Sequence, residues 1–285
     1  MPGRRNRAPH WGAFFVVGWL LLAVPPLWAR DCPSQRIDER ATLAKVIDGD
    51  TLRLADGRLV RFIGINSPEL GRDGRADEPQ AVEAREALRA LSGGRGARVG
   101  LRYDADRRDR HGRLLAHVYT ADGRSASAAL LTQGLAAQIV VPPNLWGLDC
   151  YRAAEAEARA AGRGVWRSIY RPIPVDDLSR QTRGFRLVRG RITDVADSRY
   201  SVWLNFPHLP GEGPRRGVAL RVPRKDLANF PPGFLPGLVG REVVARGWLF
   251  GHKGQLVMAL RHPAMLQTAP ALRLTAVHGK LTERD

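Results

Sequence analysis

Three short β-rich runs separated by tight turns constrain the fold of this chain more than any other feature of its sequence. The turns are Asp48-Gly49-Asp50 and Asp56-Gly57, and an Asp-Gly pair between apolar runs is a strong hairpin signal. The runs themselves are Ala41–Ile47, Thr51–Leu54 and Leu59–Ile65. The pattern predicts a strand–turn–strand–turn–strand unit.

Two further strands and three helices follow. Ala81, Ala84, Leu88 and Leu91 recur at helical spacing, and Gly93 ends that helix. The remaining elements are strands at Val99–Tyr103 and Leu114–Tyr119, a short helix at Ser127–Gln133 and a longer helix at Tyr151–Ala161. Five strands with a helix between the third and the fourth predict an OB-type barrel with helices packed at its end.

A second β-rich region follows residues 169–182, a segment with Pro and charge that we interpret as a linker. Its candidate strands are Phe185–Asp194, Tyr200–Phe206, Gly217–Val222, Arg241–Phe250 and Gln255–Arg261. A short helix at Arg224–Asn229 between the third and fourth strands repeats the OB order. We therefore predict a mainly β protein with helices (α+β). Its OB-fold five-stranded barrel precedes a second OB-like β-barrel at 183–268 and an uninformative tail at 269–285.

The N-terminus has the pattern of an export signal. Arg4, Arg5 and Arg7 form a positive region, and residues 11–29 carry no charge. This pattern predicts a signal peptide over residues 1–29 and an exported protein, either periplasmic or secreted. The alternative is an uncleaved anchor that tethers the chain to the inner membrane through residues 11–29, because the uncharged run approaches the length of a membrane span.

The chain has two cysteines, Cys32 and Cys150. In an oxidising compartment an even number of cysteines suggests a bridge, here between the mature N-terminus and a late segment of the first domain. Two free thiols are the alternative.

The charge of the chain is strongly positive. It has 45 Lys and Arg residues against 28 Asp and Glu, which gives a net charge of +17. Such a field attracts polyanions and raises their encounter rate. Nucleic acid is the first candidate partner and an anionic membrane surface the second, while a basic surface without a ligand is the third reading.

Side chains suited to catalysis concentrate between residues 48 and 69. Asp48 and Asp50 place two carboxylates at one turn, and oxygen ligands at a turn suit a hard cation such as Ca²⁺. Arg61 lies within an apolar strand, where it needs a partner or an anionic ligand. Pro68 stiffens the next turn, which aims Glu69 back at the strand ends. Two alternatives involve no catalysis. The turn with Asp48 and Asp50 is then a solvated hairpin turn, and Arg61 and Glu69 form a salt bridge.

A third segment, Asp109–Arg113, completes the set. Gly112 permits a sharp backbone path that places Arg113 at the start of a strand, although a basic hairpin has the same pattern. Two guanidinium groups match phosphate oxygens, a cation can bridge the phosphate, and a glutamate can assist the attacking water. Arg61, Arg113 and Glu69 with a bound cation would therefore suit phosphodiester hydrolysis.

Three runs in this order and spacing resemble motifs of the staphylococcal-nuclease (thermonuclease) family. They are Ile47–Thr51 (IDGDT), Arg61–Glu69 (RFIGINSPE) and Asp109–Arg113 (DRHGR). The resemblance extends to Gly164-Val165-Trp166 and covers about residues 38–168, nearly half of the chain. It implies an OB-type barrel and a nuclease that cleaves DNA and RNA at the bond to the 5′ oxygen and leaves 3′-phosphate ends.

The resemblance also implies a role for each site residue. Arg61 and Arg113 are the expected transition-state arginines, and Glu69 is expected to position or deprotonate the attacking water. The expected Ca²⁺ ligands are Asp50, Asn66 and the backbone carbonyl of Ser67.

Position 66 departs from the family pattern, which usually has a second Asp ligand there. The amide oxygen of Asn66 can still coordinate a cation, but the site loses a negative charge. We therefore predict weaker calcium binding or a changed metal preference.

The C-terminal module contains no catalytic constellation in its sequence. Its basic residues suggest an accessory surface for nucleic acid, and an ordinary basic barrel that packs against the nuclease domain or another protein is the alternative. These residues are Arg215, Arg216, Arg221, Arg224, Lys225 and Arg246.

Two functions other than a calcium-dependent nuclease remain open at this point. One is a catalytically weak or inactive barrel that only binds nucleic acid or protein, a reading that only Asn66 favours. The other is a basic envelope protein held at an anionic membrane, which explains the charge but not the three motifs.

Overall fold

The computed structural model describes residues 32–207 and 217–268, which form two β modules with three helices. The first module consists of β1 (Glu39–Asp48), β2 (Thr51–Leu54), β3 (Leu59–Phe62), β4 (Ile65–Asn66), α1 (Ala81–Ser92), β5 (Arg98–Arg102), β6 (Leu114–Tyr119), α2 (Ala126–Gln133), β7 (Ala137–Gln138) and α3 (Leu148–Ala160). The second consists of β8 (Ile173–Pro174), β9 (Gly184–Arg191), β10 (Asp194–Asp197), β11 (Ser201–Asn205), β12 (Val218–Pro223), β13 (Glu242–His252), β14 (Gln255–Ala259) and β15 (Leu266–Thr268).

The first module is a closed five-stranded barrel in the order β1-β2-β3-β6-β5. The long strand β1 closes it, because its residues 39–42 pair with β5 and its residues 43–48 pair with β2. The pair β3–β6 is parallel and the other pairs are antiparallel. The predicted OB-type barrel is confirmed. Along the chain, α1 lies between β3 and β5, which are the third and fourth barrel strands in sequence order.

The second module has the same strand order. Its sheet runs β10-β11-β12-β14-β13-β9-β8, and only two residues, Ile192 and Thr193, separate β9 from β10. We count β9 and β10 as the two halves of one bent first strand, and β11, β12, β13 and β14 as the second to fifth strands. The sheet order is then first, second, third, fifth, fourth and first, as in the closed barrel of the first module. The parallel pair β12–β14 corresponds to β3–β6 of the first module. The predicted second OB-like module is consistent with this topology.

Residues 169–182, which the sequence analysis interprets as a linker, pack into the second module. Tyr170, Val175 and Leu178 are buried, and Ile173-Pro174 pairs with β9 as the strand β8. The charged residues between these three face solvent. The Pro content and charge of the segment therefore indicate a linker although its apolar residues are buried. The segment therefore belongs to the fold and does not separate the two modules.

Each module has its own hydrophobic core, and the core of the C-terminal module extends into the first module. Ile139 and Val140 after β7, together with Trp166, pack with the buried face of the C-terminal sheet. At the same junction the Arg246 side chain, 4% exposed, donates from Nη1 to Glu155 Oε1 at 2.8 Å. Because this apolar contact excludes water, it stabilises the packing of the two modules against each other.

The predicted disulfide is present. Cys32 and Cys150 are bridged with a Cα–Cα distance of 5.6 Å, and the bridge ties the start of the described chain to α3. The buried Tyr119 hydroxyl donates to the Cys32 carbonyl oxygen at 3.1 Å, which fixes the same segment to the barrel.

Replacing both cysteines by serine is expected to lower the free energy of unfolding by about 4–5 kcal/mol, because the bridge closes a long loop in the unfolded chain. The two cysteines are 118 residues apart in sequence. Urea unfolding of the oxidised protein beside the double variant measures the difference. Equal stabilities would contradict the expected role of the bridge.

The predicted signal peptide or anchor at 1–29 and the tail at 269–285 lie outside the described residues. Within residues 32–207 and 217–268, no helix combines the length and the apolar character that a bilayer crossing requires.

Candidate active site

The turn between β1 and β2 carries the two carboxylates that the sequence singles out. Gly49 is required there because a Cβ at this position would lie 2.7 Å from Ala84 Cβ and 2.7 Å from Ser67 Oγ. The turn therefore packs directly against α1 and the segment after β4. As a result Asp48 and Asp50 are both buried, although each lies in a tight turn.

Arg61 projects from the outer face of the barrel. Its neighbours on β3, Val60 and Phe62, fill the barrel interior, so Arg61 points the other way, yet it is only 8% exposed. Its guanidinium is held by Asp50 Oδ2 at 3.0 Å from Nη2 and by the Ile65 carbonyl at 2.9 Å from Nη1. The predicted need of this strand arginine for a partner is met by Asp50 and not by Glu69.

Asn66 links Arg61 to the rest of the site. Gly64 has a φ of 84°, a conformation that favours glycine, and it turns the chain between β3 and β4. Asn66 then accepts a hydrogen bond from Arg61 Nη2 at 3.0 Å through Oδ1. Its Nδ2 donates to the Ser67 carbonyl oxygen at 3.1 Å and to the Tyr170 hydroxyl at 2.9 Å. The buried amide of Asn66 is therefore satisfied on both sides.

Asp50 is the centre of this network. Its Oδ2 accepts the Ser67 backbone N–H at 2.7 Å in addition to Arg61, and its Oδ1 accepts the Thr51 hydroxyl at 3.2 Å. Asp50, Arg61, Asn66 and Ser67 thus contact one another directly. The structure brings together these four of the six predicted site residues.

Glu69 lies at the rim of the same cluster, where it is exposed. Its backbone is clamped by Glu78, whose Oε2 accepts the Glu69 N–H at 3.0 Å and whose N–H donates to the Glu69 carbonyl at 2.9 Å. Although the residue as a whole is exposed, partial desolvation of its carboxyl group and the charge of Asp50 raise its pKa. A raised pKa makes this carboxyl, when it is ionised, a better proton acceptor.

Three carboxylates, those of Asp48, Asp50 and Glu69, lie close to one another at the site, with Arg61 in the cluster and Arg72 Nη2 4.0 Å from Asp48 Oδ2. Burial and, next, the charge of Asp50 raise the pKa of Asp48 to about 7, and Glu69 acts in the same direction. Arg61 opposes these effects but does not cancel them. A bound cation would reduce the repulsion among these carboxylates.

The donors that face the cluster suit a hard cation. The Asp50 carboxylate, the Asn66 amide oxygen and the Ser67 carbonyl are all oxygen ligands of the kind that Ca²⁺ prefers. In the described part of the chain, no group of three or more His, Cys, Asp or Glu side chains has a metal-binding arrangement. A cation here would therefore depend on the single carboxylate of Asp50, on amide oxygens and on water.

Arg113 lies on the same face of the barrel as Arg61, but outside the hydrogen-bonded cluster. It immediately precedes β6, and Leu115 on β6 pairs with Arg61 on β3, so Arg113 is two residues before the Arg61 level on the neighbouring strand. Its Nε donates to Asp109 Oδ2 at 2.7 Å, and its side chain is 31% exposed. Arg113 therefore remains accessible to a phosphate that approaches the Asp50–Arg61 cluster.

Tyr170 and Glu78 are site residues that sequence reasoning misses. Tyr170 is fully buried beside Asn66, and Glu78 holds the backbone of Glu69. Tyr170 falls in the segment interpreted as a linker and Glu78 in a loop rich in Gly and charge. No local periodicity marks either residue, so only the tertiary contacts identify them.

One of the residues predicted to form a basic surface on the C-terminal module, Arg246, does not lie at the surface. Arg246 is buried and paired with Glu155 at the module junction, so it cannot bind a polyanion. Arg224 is exposed but pairs with Asp197 at 2.6 Å. Arg215 and Arg216 lie outside the described residues.

The family model described as staphylococcal nuclease homologue matches residues 59–168. Endonuclease YncB of Bacillus subtilis (strain 168) is 35% identical over 130 residues, which are 44% of this chain and 60% of that protein. A prophage-derived endonuclease of the same organism, YokF, is 34% identical over 130 residues, 44% of this chain and 43% of its own length.

The thermonuclease of Staphylococcus intermedius is 32% identical over 135 residues, which are 45% of this chain and 76% of that protein. The chain thus spans 60% or less of the two Bacillus endonucleases but three quarters of the thermonuclease. The matched region contains β3, which carries Arg61, and the segments that carry Asn66, Glu69 and Arg113. The chain belongs to the staphylococcal nuclease homologue family.

Proposed function

We propose that this protein is a calcium-dependent nuclease that hydrolyses phosphodiester bonds of DNA, RNA or both. The observation that supports the proposal most strongly is the direct contact among Asp50, Arg61 and Asn66, with Glu69 at the rim. A buried arginine held next to an aspartate and beside a carboxyl of raised pKa is the set that this reaction needs. The names of the relatives, two endonucleases and a thermonuclease, agree with this activity.

Each residue has a chemical task in the proposed reaction. Arg61 and Arg113 bind the scissile phosphate and stabilise the negative charge that develops on it. Glu69 orients the attacking water and accepts its proton. The water oxygen bonds to phosphorus while the bond from phosphorus to the 5′ oxygen breaks, so one product carries a 3′-phosphate and the other leaves with a 5′-hydroxyl, which takes up a proton.

Asp50, Asn66 and Ser67 would hold the calcium ion, which supplies Lewis-acid stabilisation of the phosphate when it is bound. The hydrogen bonds of Asn66 limit this site, because its Oδ1 is engaged by Arg61 and its Nδ2 by the Ser67 carbonyl. The Asp50 oxygens also accept from Arg61, from the Ser67 N–H and from the Thr51 hydroxyl, so calcium would compete with contacts inside the protein for all three ligands.

Export is the second part of the proposal. A signal peptide at 1–29 would bring the chain to a compartment that permits the Cys32–Cys150 bridge, and the bridge supports export to that extent. Cell fractionation of the full chain and of a chain without residues 1–29 tests this. A protein found in the membrane fraction only when residues 1–29 are present would favour the anchor over a cleaved signal.

The decisive experiment measures the release of acid-soluble nucleotides from DNA and from RNA by the purified chain, with calcium and with a chelator. Calcium-dependent release supports the nuclease proposal. If no nucleotides are released with any divalent metal, but nucleic acid still binds in a salt-sensitive way, the protein would instead be an inactive barrel that only binds nucleic acid. Asn66 would then be the first residue to examine.

Asn66→Asp is expected to raise the affinity for calcium by about 10-fold, because a second carboxylate adds negative charge to the ligand set. The substitution also removes the Nδ2 donor from the Ser67 carbonyl, which frees that oxygen for the cation. Isothermal titration of calcium into both proteins measures the change, and Asn144→Asp, at an asparagine that bonds only to the Asp106 backbone, is a control. Equal affinities of the wild type and Asn66→Asp would contradict the expectation.

A further inference from the structure

The C-terminal module reaches the candidate site at two points. At the first, the Tyr170 hydroxyl accepts a hydrogen bond from Asn66 Nδ2 at 2.9 Å. Tyr170 is fully buried, and burial raises the pKa of its hydroxyl well above the usual value, so the group stays neutral. Asn66 is therefore held between a fixed phenol on one side and Arg61 on the other.

At the second point, Arg186 on β9 contacts the loop that carries Glu69. Arg186 Nη1 lies 3.2 Å from Glu78 Oε1, while the other oxygen of Glu78 accepts the backbone N–H of Glu69 at 3.0 Å. One carboxylate thus connects a strand of the C-terminal module to the backbone of the proposed general base. The Arg186 side chain is only 19% exposed, so this ion pair is partly shielded from solvent.

Both contacts originate from the same part of the second module. The Tyr170 ring packs edge-on against Phe185 at 5.1 Å between centroids, and Phe185 precedes Arg186 on β9. The backbone of β9 is in turn hydrogen-bonded along β13, the longest strand of the module. Tyr170 and Arg186 therefore move with the C-terminal sheet, and both lie beyond residues 59–168, the region that matches the family model.

We infer that Tyr170 and Arg186 are positioning residues of the nuclease site, so that the C-terminal module completes this site in addition to any role in binding. This inference rests on the proposed function. Tyr170 holds the side-chain amide of Asn66 in position while its Oδ1 accepts from Arg61. Arg186 fixes Glu78 and, through it, the backbone at Glu69.

The physical reason lies in the chemistry of an asparagine at position 66. A carboxylate has two equivalent oxygens and accepts from Arg61 in either orientation, whereas an amide presents an acceptor on one side only. A reversed amide would place an NH₂ group against the guanidinium, and two donors would then face each other. Arg61, which can only donate, and the Ser67 carbonyl, which can only accept, set this orientation, and the hydrogen bond to the buried Tyr170 hydroxyl holds the amide in place.

Tyr170→Phe removes the hydroxyl and keeps the ring that packs on Phe185. We expect kcat to fall about 10-fold, as for loss of a group that orients a ligand residue, with KM for DNA nearly unchanged. Tyr119→Phe is the matched control, because Tyr119 is also buried and its hydroxyl donates to the Cys32 carbonyl, away from the candidate site. The control is expected to lower the melting temperature by a similar amount and to keep the wild-type kcat.

Arg186→Met removes the ion pair with Glu78 and keeps most of the side-chain volume. We expect a several-fold fall in kcat and partial rescue by Arg186→Lys, because an ammonium group can still pair with Glu78. Arg261→Met is the control, since Arg261 pairs with Asp226 at 3.0 Å within the C-terminal module and has no link to the site.

A readout independent of activity separates this inference from the proposed function. In NMR spectra of the full chain with ¹⁵N-labelled asparagine, we expect Tyr170→Phe to shift the Asn66 side-chain NH₂ resonances and to speed their exchange with water. Tyr119→Phe should leave them unchanged. If the wild type cleaves no nucleic acid, the proposed function fails, and the NMR comparison still tests the positioning.

Three results would overturn the inference. The first is an unchanged kcat in both Tyr170→Phe and Arg186→Met, with the wild type active. The second is an Asn66 side-chain resonance that is the same in the wild type and in Tyr170→Phe. The third is a fall in kcat that Tyr119→Phe reproduces, because the effect would then follow stability and not position.

Discussion

Alanine at Arg61 or at Arg113 is expected to slow phosphodiester cleavage by at least about 100-fold, as loss of a donor that stabilises transition-state charge does. Arg61 contacts Asp50 and Asn66 at the centre of the site, and Arg113 lies on the same face of the barrel with its guanidinium partly open to solvent. Initial rates on DNA at saturating calcium measure the effect.

The two arginines differ in what else they hold. Arg61→Ala also leaves the buried Asp50 carboxylate without its ion pair, so part of its effect reaches the fold, and Arg61→Lys with a thermal melt separates the two contributions. Arg113→Ala removes the ion pair of Asp109 only, and the Asp109 side chain is more exposed than that of Asp50. The Arg113 variant is therefore expected to disturb the fold less and to report on catalysis more directly. Arg110→Ala, at an exposed arginine of the same loop, is the control. Near-normal cleavage by both alanine variants would show that other cations stabilise the transition state.

Arg246→Met is expected to lower the free energy of unfolding by about 3–5 kcal/mol, since it leaves the Glu155 carboxylate buried and without a cation. Glu155 is 3% exposed and accepts from Arg246 Nη1 at 2.8 Å and from the Gln138 N–H at 2.7 Å. Arg246 Nη1 also donates to the Gln138 carbonyl at 3.0 Å, so the loss extends to β7. Urea unfolding of wild type and variant measures the difference.

The double variant Arg246→Met, Glu155→Leu tests the cause of that loss. Replacing both charges by apolar groups of similar volume removes the unpaired carboxylate, so most of the lost stability is expected to return. If the double variant is no more stable than Arg246→Met alone, the loss comes from packing at the junction. A single unfolding transition in all three proteins would agree with the C-terminal core that extends into the first module.

The junction of the modules also bears on catalysis. The ion pair Arg246–Glu155, the Tyr170–Asn66 hydrogen bond and the Arg186–Glu78 pair all cross it. A change that separates the modules would therefore be expected to reduce activity before it unfolds the first barrel. This coupling explains why the C-terminal module can matter to a reaction for which it carries no catalytic side chain.

The sequence by itself determined the features that depend on near neighbours. The Asp48-Gly49-Asp50 turn, the strand arginine Arg61 and the turn that follows it are local patterns, because hairpin chemistry and strand alternation act over a few residues. The succession of five strands with a helix between the third and the fourth predicted an OB-type barrel, and the structure confirms that barrel in the first module. The even number of cysteines, together with the predicted export signal, likewise predicted the bridge that the structure contains.

Only the tertiary structure decided which distant residues complete the site. Asn66 and Tyr170 are 104 residues apart, and Glu155 and Arg246 are 91 apart, so neither contact leaves a periodic trace in the sequence. Tyr170 looked like part of a linker and Arg246 like part of a basic surface, because burial depends on what packs against a residue and not on the residue itself. Contacts between separate modules form only when both have folded, and for that physical reason a local reading of the chain cannot assign them.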